Sequence, residues 1–138
     1  MALNTVHAIA RCGLAFVFAY HGLVPKLLAH HPDEIAILTD AGISVERAAT
    51  GVFIFGIAEV AFASCLLLFW RHRWPLIVSI AAMCLGLAGV AINSPRFLYT
   101  PFNPVSLNVL IICLAATDLV ACAARRAART LPLSQPQE

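Results

Sequence analysis

Residues 47–69 read RAATGVFIFGIAEVAFASCLLLF. Past the leading arginine, the only formal charge in this run is Glu59. About 20 mostly apolar residues at 1.5 Å per residue suffice to cross the hydrocarbon layer of a bilayer, so the run is a transmembrane helix. It is too long and too unbroken for a barrel strand. Working outward, three further runs of the same kind are read at residues 5–23, 76–92 and 105–124. The breaks between them carry helix-stopping chemistry: Val24-Pro25-Lys26, then Arg71-His72-Arg73-Trp74-Pro75, then a segment from Asn93 to Pro104 with three prolines. The predicted fold class is all-α, an integral membrane four-helix bundle over residues 1–125, followed by a polar C-terminal tail at 126–138.

Composition agrees. Of 138 residues, 61% are hydrophobic and 12% charged, against about 45–50% and 25% in soluble domains. The mean hydropathy is +0.87. A chain of this size has too little interior to hide so much apolar surface from water. A soluble monomer, a disordered chain and a nucleic-acid binder are excluded, the last also because a scattered net charge of +2 makes no phosphate-binding face. A cleaved signal peptide fits poorly: residues 1–6 hold no Lys or Arg, and Arg11 interrupts the apolar core.

Orientation follows from the cations beside the spans. Arg71, Arg73, Arg125, Arg126 and Arg129 share the side of both termini, whereas Lys26, Arg47 and Arg96 lie opposite. Both termini are therefore expected in the cytoplasm, with the first and third loops outside. In the first loop, Pro32-Asp33-Glu34, then Ile35, Ile37, Leu38 and Gly42, predict a short interfacial helix: proline at its start, acids on its positive end, glycine at its stop.

The five cysteines, Cys12, Cys65, Cys84, Cys113 and Cys122, all fall within spans, with no CxxC pair. They read as small hydrophobes packing helices rather than as a disulfide or thiol relay. Small residues also mark packing faces, Gly56 and Ala63 flanking Glu59 in the second span, and Ala82, Gly86, Gly89 and Asn93 in the third.

Ionisable groups at membrane depth carry the functional signal, since each costs about 2.5–3.5 kcal/mol to insert. Arg11 and Glu59 each lie about 18 Å below the outer surface, twelve residues along their spans. They are expected to form a structural ion pair, with Glu59 also a candidate for proton handling. His7 shares a helical face with Arg11, and Asp118 lies near their depth; together they form a candidate polar thread. At the outer end, Tyr20, His21, Lys26, Arg96, Asn103 and Asn108 are candidates to converge on a ligand. No metal site is read: His30 and His31 are adjacent and point apart, and a haem clamp would need a histidine at the depth Arg11 occupies. There is no Gly-rich phosphate cradle, nucleophile elbow or HExxH.

The string Tyr20-His21-Gly22-Leu23-Val24-Pro25-Lys26-Leu27-Leu28, with His31-Pro32-Asp33-Glu34 after it, resembles the opening of the DoxX-like family of small bacterial four-helix membrane proteins. Glu59 with Gly56 before it, the basic turn Arg71 to Trp74, and Pro101-Phe102-Asn103-Pro104-Val105-Ser106-Leu107-Asn108 resemble the same family. The resemblance implies the bacterial plasma (inner) membrane and marks His21, Gly22, Pro25, Lys26, Pro32, Asp33, Glu34, Glu59, Asn103, Pro104 and Asn108, without catalytic roles. Proteins resembling it include membrane subunits of thiosulfate:quinone oxidoreductases and members of oxidative-stress complexes. The expected function is thus a membrane subunit of a quinone-linked redox system. In it the His21–Lys26 region and Asn108 would hydrogen-bond a quinone, Glu59 and His21 would handle protons, and a redox partner on another chain would complete the enzyme. The competing expectation is a non-enzymatic anchor or assembly factor, or a small-solute carrier, which at this length would act as a homo-oligomer. Whether a reaction is catalysed is left open.

Overall fold

The computed structural model describes residues 2–101 and 103–130. Every element in these residues is helical. Helix α1 runs Ala2–His21 and continues as a π-helical segment Gly22–Leu28. It is followed by α2 (Pro32–Asp40), α3 (Val45–Leu68), α4 (Trp74–Asn93), a 3-10 turn Pro95–Leu98 and α5 (Pro104–Thr130). Four of these, α1 with its π segment, α3, α4 and α5, are long and apolar enough to cross a membrane.

The boundaries differ from the sequence reading at both ends of the chain. Val24-Pro25-Lys26 does not stop the first helix. Proline cannot donate to the i−4 ladder, and the chain answers by widening the turn, so that Ala29 N–H bonds Val24 O five residues back at 2.9 Å. The last helix runs on to Thr130, past the expected start of the tail; positions 131–138 of that tail lie outside the described residues.

The loop helix α2 forms as its residues dictate. Pro32 opens it, Asp33 and Glu34 fill its first turn, and His31 Nδ1 accepts from Asp33 N at 3.3 Å. Gly42, at φ 85°, closes it: Ile43 N bonds Leu38 O at 3.2 Å and Gly42 N bonds Thr39 O at 2.9 Å. This pair of bonds is the Schellman stop that a left-handed glycine permits. Leu38 then packs toward Gly51, seating α2 against the loop end of α3.

Helix α1 is the hub, packing against α3 on one side and α5 on the other, while α4 leans on α5. The core is Leu14, Ala15 and Phe18 of α1, Ala63 and Leu66 of α3, Leu76 of α4, and Ile111 and Ala115 of α5. Phe18 meets Phe62 edge-on at 4.9 Å. Toward the loop end, α1 and α3 approach to backbone contact: a Cβ on Gly22 would lie 2.6 Å from Gly56 O and 2.9 Å from the Glu59 Cβ. Both glycines are there because nothing larger fits. The small-residue face of α4 behaves otherwise. Ala82, Gly86 and Asn93 are exposed and no atom would meet a Cβ at Gly89, because α4 turns Leu76, Ser79 and Val90 inward instead.

Candidate functional site

Two polar clusters occupy opposite ends of the helices. The first is at the loop end. The π turn carries Lys26 inward, 7% exposed, toward α3. Its Nζ donates to both oxygens of Glu59, at 3.0 Å each, and lies 3.4 Å from Glu34 Oε1 in the first turn of α2. One ammonium thus ties three helices together. About a quarter of each carboxylate side chain stays open, 24% for Glu59 and 25% for Glu34. His21, at the end of α1, lies within reach of the charges of Lys26 and Glu34. Two carboxyl groups sharing one ammonium have a chemical consequence: either can take or give up a proton while the other still neutralises Lys26.

The second cluster is at the end shared by both termini, and it is closed. Arg11 and Asp118 are fully buried, with Arg11 Nε 2.9 Å from Asp118 Oδ2. This is a close charge contact rather than a directed hydrogen bond. The guanidinium also donates through Nη2 to His72 O in the α3–α4 turn at 2.9 Å. His7 Nδ1 bonds the other Asp118 oxygen, Oδ1, and the His7 ring meets Trp70 edge-on at 4.9 Å. Cys122 Sγ lies 3.6 Å from His7 Nδ1 and 3.7 Å from Asp118 Oδ1.

The structure corrects the expected Arg11–Glu59 pair. Glu59 pairs with Lys26, and Arg11 pairs with Asp118. The depth argument fails because α1 does not end near Leu23. The π segment extends it, so α1 slides relative to α3: Gly22 lies beside Glu59, and Arg11 reaches the turn after α3. Residue 22 rather than residue 11 opposes 59, a displacement of about 16 Å along the helix. The expected thread of His7, Arg11 and Asp118 does form, without Glu59.

The outer candidates divide. Lys26 joins Glu59, and His21 stands partly buried at the end of α1, just before the π segment that carries Lys26. Tyr20 is exposed and faces Phe16, ring centroids 6.0 Å apart. Arg96 pairs with Asp40 at 2.9 Å and lies over the Phe97 ring at 5.0 Å. Asn103 caps α5, accepting from Ser106 N at 3.0 Å and donating to Thr100 O at 3.1 Å. Asn108 sits opposite Gly86 of α4. These four do not converge on Lys26. Sequence reasoning missed Cys122, grouped with four cysteines that are exposed or partly so. It also missed Glu34 as a second partner of Lys26, although its place at the head of a helix after Pro32 was legible.

Four apolar helices, with charged groups paired in their interior, define a multi-pass membrane protein in contact with lipid. A family model, the DoxX-like family, matches residues 15–116, and the chain belongs to that family. Neither a curated protein nor a solved structure matches the chain. The matched residues include Lys26, Glu34 and Glu59; His7, Arg11, Asp118 and Cys122 lie outside them.

Proposed function

We propose that this chain is the membrane subunit of a quinone-linked redox system of the bacterial inner membrane, with its termini in the cytoplasm and its loop end outside. The observation that carries the reading is the Lys26 ammonium shared between Glu59 and Glu34, both partly open. Reducing a quinone to a quinol takes two electrons and two protons. The electrons come from a partner protein. This chain contributes a hydrogen-bond donor for the quinone oxygen, Lys26, and a carboxyl, Glu59, that passes a proton while Glu34 holds the ammonium. A general acid of this kind must lie within hydrogen-bond reach of the atom it serves, which a ligand oxygen at Lys26 Nζ satisfies, because Glu59 is already there. His21 at the helix end connects this group to the loop side.

The test is an inventory of what the full chain retains when purified gently into lipid nanodiscs. Wild type is expected to carry quinone by mass spectrometry, Lys26→Met to lose it, and Glu59→Gln to retain it but respond more weakly to a reducing partner. Wild type carrying phospholipid alone, and showing no thermal shift with a short-chain quinone, overturns the reading in favour of a non-enzymatic anchor.

A further inference from the structure

The closed cluster at the termini end plays no part in that reading. The geometry points to a second site, at which His7, Asp118 and Cys122 bind one divalent transition-metal ion of the zinc type. Their donor atoms, an imidazole nitrogen, a carboxylate oxygen and a sulfur, all lie within 4.8 Å of one another, and all three residues are buried. The three atoms converge on one point. Cys122 Sγ is 3.6 Å from His7 Nδ1 and 3.7 Å from Asp118 Oδ1. Zinc–donor bonds of about 2.0–2.3 Å at tetrahedral angles separate sulfur from its nitrogen and oxygen neighbours by roughly 3.5 Å. Two of the three edges of the site are therefore already at coordination length. The third, His7 Nδ1 to Asp118 Oδ1, is a direct contact that opens as an ion takes the place of the shared proton.

A nucleophilic relay would use these residue types differently. In such a relay the imidazole contacts the nucleophile through one nitrogen and the carboxylate through the other. Here Cys122 and Asp118 approach the same nitrogen, Nδ1, while Nε2 has no hydrogen-bond partner. Convergence on one atom is the arrangement of ligands, not of a proton chain.

The surroundings suit coordination. Arg11 holds Asp118 by Oδ2, leaving Oδ1 to face the site. Arg125 donates through Nη2 to Cys122 Sγ at 3.6 Å and through Nη1 to Asn4 Oδ1 at 3.4 Å. Outer contacts of this kind orient ligands and raise affinity. Three protein ligands leave a fourth position for water or a small anion.

The experiment loads the full chain in detergent or nanodiscs with Zn(II) or Co(II). One equivalent per chain is expected, and the cobalt form should show a near-ultraviolet thiolate-to-cobalt charge-transfer band. Cys122→Ser should lose that band, Cys113→Ser on the same helix should keep it, and Arg11→Lys should keep it while weakening affinity about 10–100-fold. Absorption fine structure at the zinc edge of the wild type reads the first shell without any variant and should show a single sulfur among nitrogen and oxygen donors. A shell with no sulfur, or with several, overturns the proposal, as does a charge-transfer band that survives Cys122→Ser.

Discussion

Both ends of α1 solve the same problem, a cation on an apolar helix, and they solve it differently. At the termini end Arg11 and Asp118 are sealed, both side chains at 0% exposure, with their remaining contacts supplied by a turn carbonyl and a histidine. At the loop end Lys26 is buried, but its carboxylate partners are open and there are two of them. A sealed pair with one counter-ion cannot give up either charge without breaking. An open group with a spare carboxylate can exchange protons and accept a visitor. The contrast assigns stability mainly to one end and small-molecule chemistry mainly to the other.

The largest expected effect breaks the sealed end. Asp118→Ala strands Arg11 in the interior, and removal of one partner of a buried pair costs about 3–5 kcal/mol. Urea or mild-SDS unfolding in micelles should register most of the protein's stability lost; an unchanged midpoint would show that Arg11 escapes to solvent and that the two ends do not differ. Next comes Gly22→Ala, which drives a methyl into Gly56 O and the Glu59 side chain. Overpacking of this sort costs about 1–3 kcal/mol, and it should also disturb the Lys26–Glu59 geometry, so stability and quinone retention should fall together. Glu59→Gln should reverse the ranking: because Glu34 still neutralises Lys26, stability should fall by about 1 kcal/mol, whereas the response to a reducing partner should fall far more. Equal losses in both measurements would make the loop-end cluster a clamp like its counterpart. The smallest effect belongs to Arg96→Ala, which removes an exposed pair with Asp40 and should change the unfolding free energy by no more than about 1 kcal/mol.

The sequence made some of this contrast legible and concealed the rest, for physical reasons. Apolar runs and their breaks identify four membrane helices, because the bilayer demands length and hydropathy of each segment separately. The cap residues Pro32, Asp33 and Gly42 identify α2, because capping is local. Register is not local. The pairing of Arg11 with Glu59 rested on where α1 leaves the membrane, and Pro25 has two outcomes, a stop or a widened turn, that sequence alone does not distinguish. Once the turn widens, Lys26 is drawn toward α3 and displaces Arg11 as the partner of Glu59. At His7, Asp118 and Cys122 depth brings the first two together but not the third, since His7 lies 111 and 115 residues from its two partners. No spacing motif spans such a gap. Of the five cysteines, only Cys122 is buried, and burial of a single thiol depends on which helix α5 meets.

The central position of α1 also has a consequence in time. The chain is made from its N-terminus, so α1, which packs against both α3 and α5, reaches the membrane before either, with Arg11 already aboard. Lys26 meets Glu34 and Glu59 once α2 and α3 have followed. The counter-ion of Arg11 sits midway along α5 and is made only after α3 and α4. Until then the nascent protein carries an unanswered charge at membrane depth. A chain that stops before α5 therefore leaves that charge unpaired, and Asp118 closes the pair only when the last described helix packs on α1.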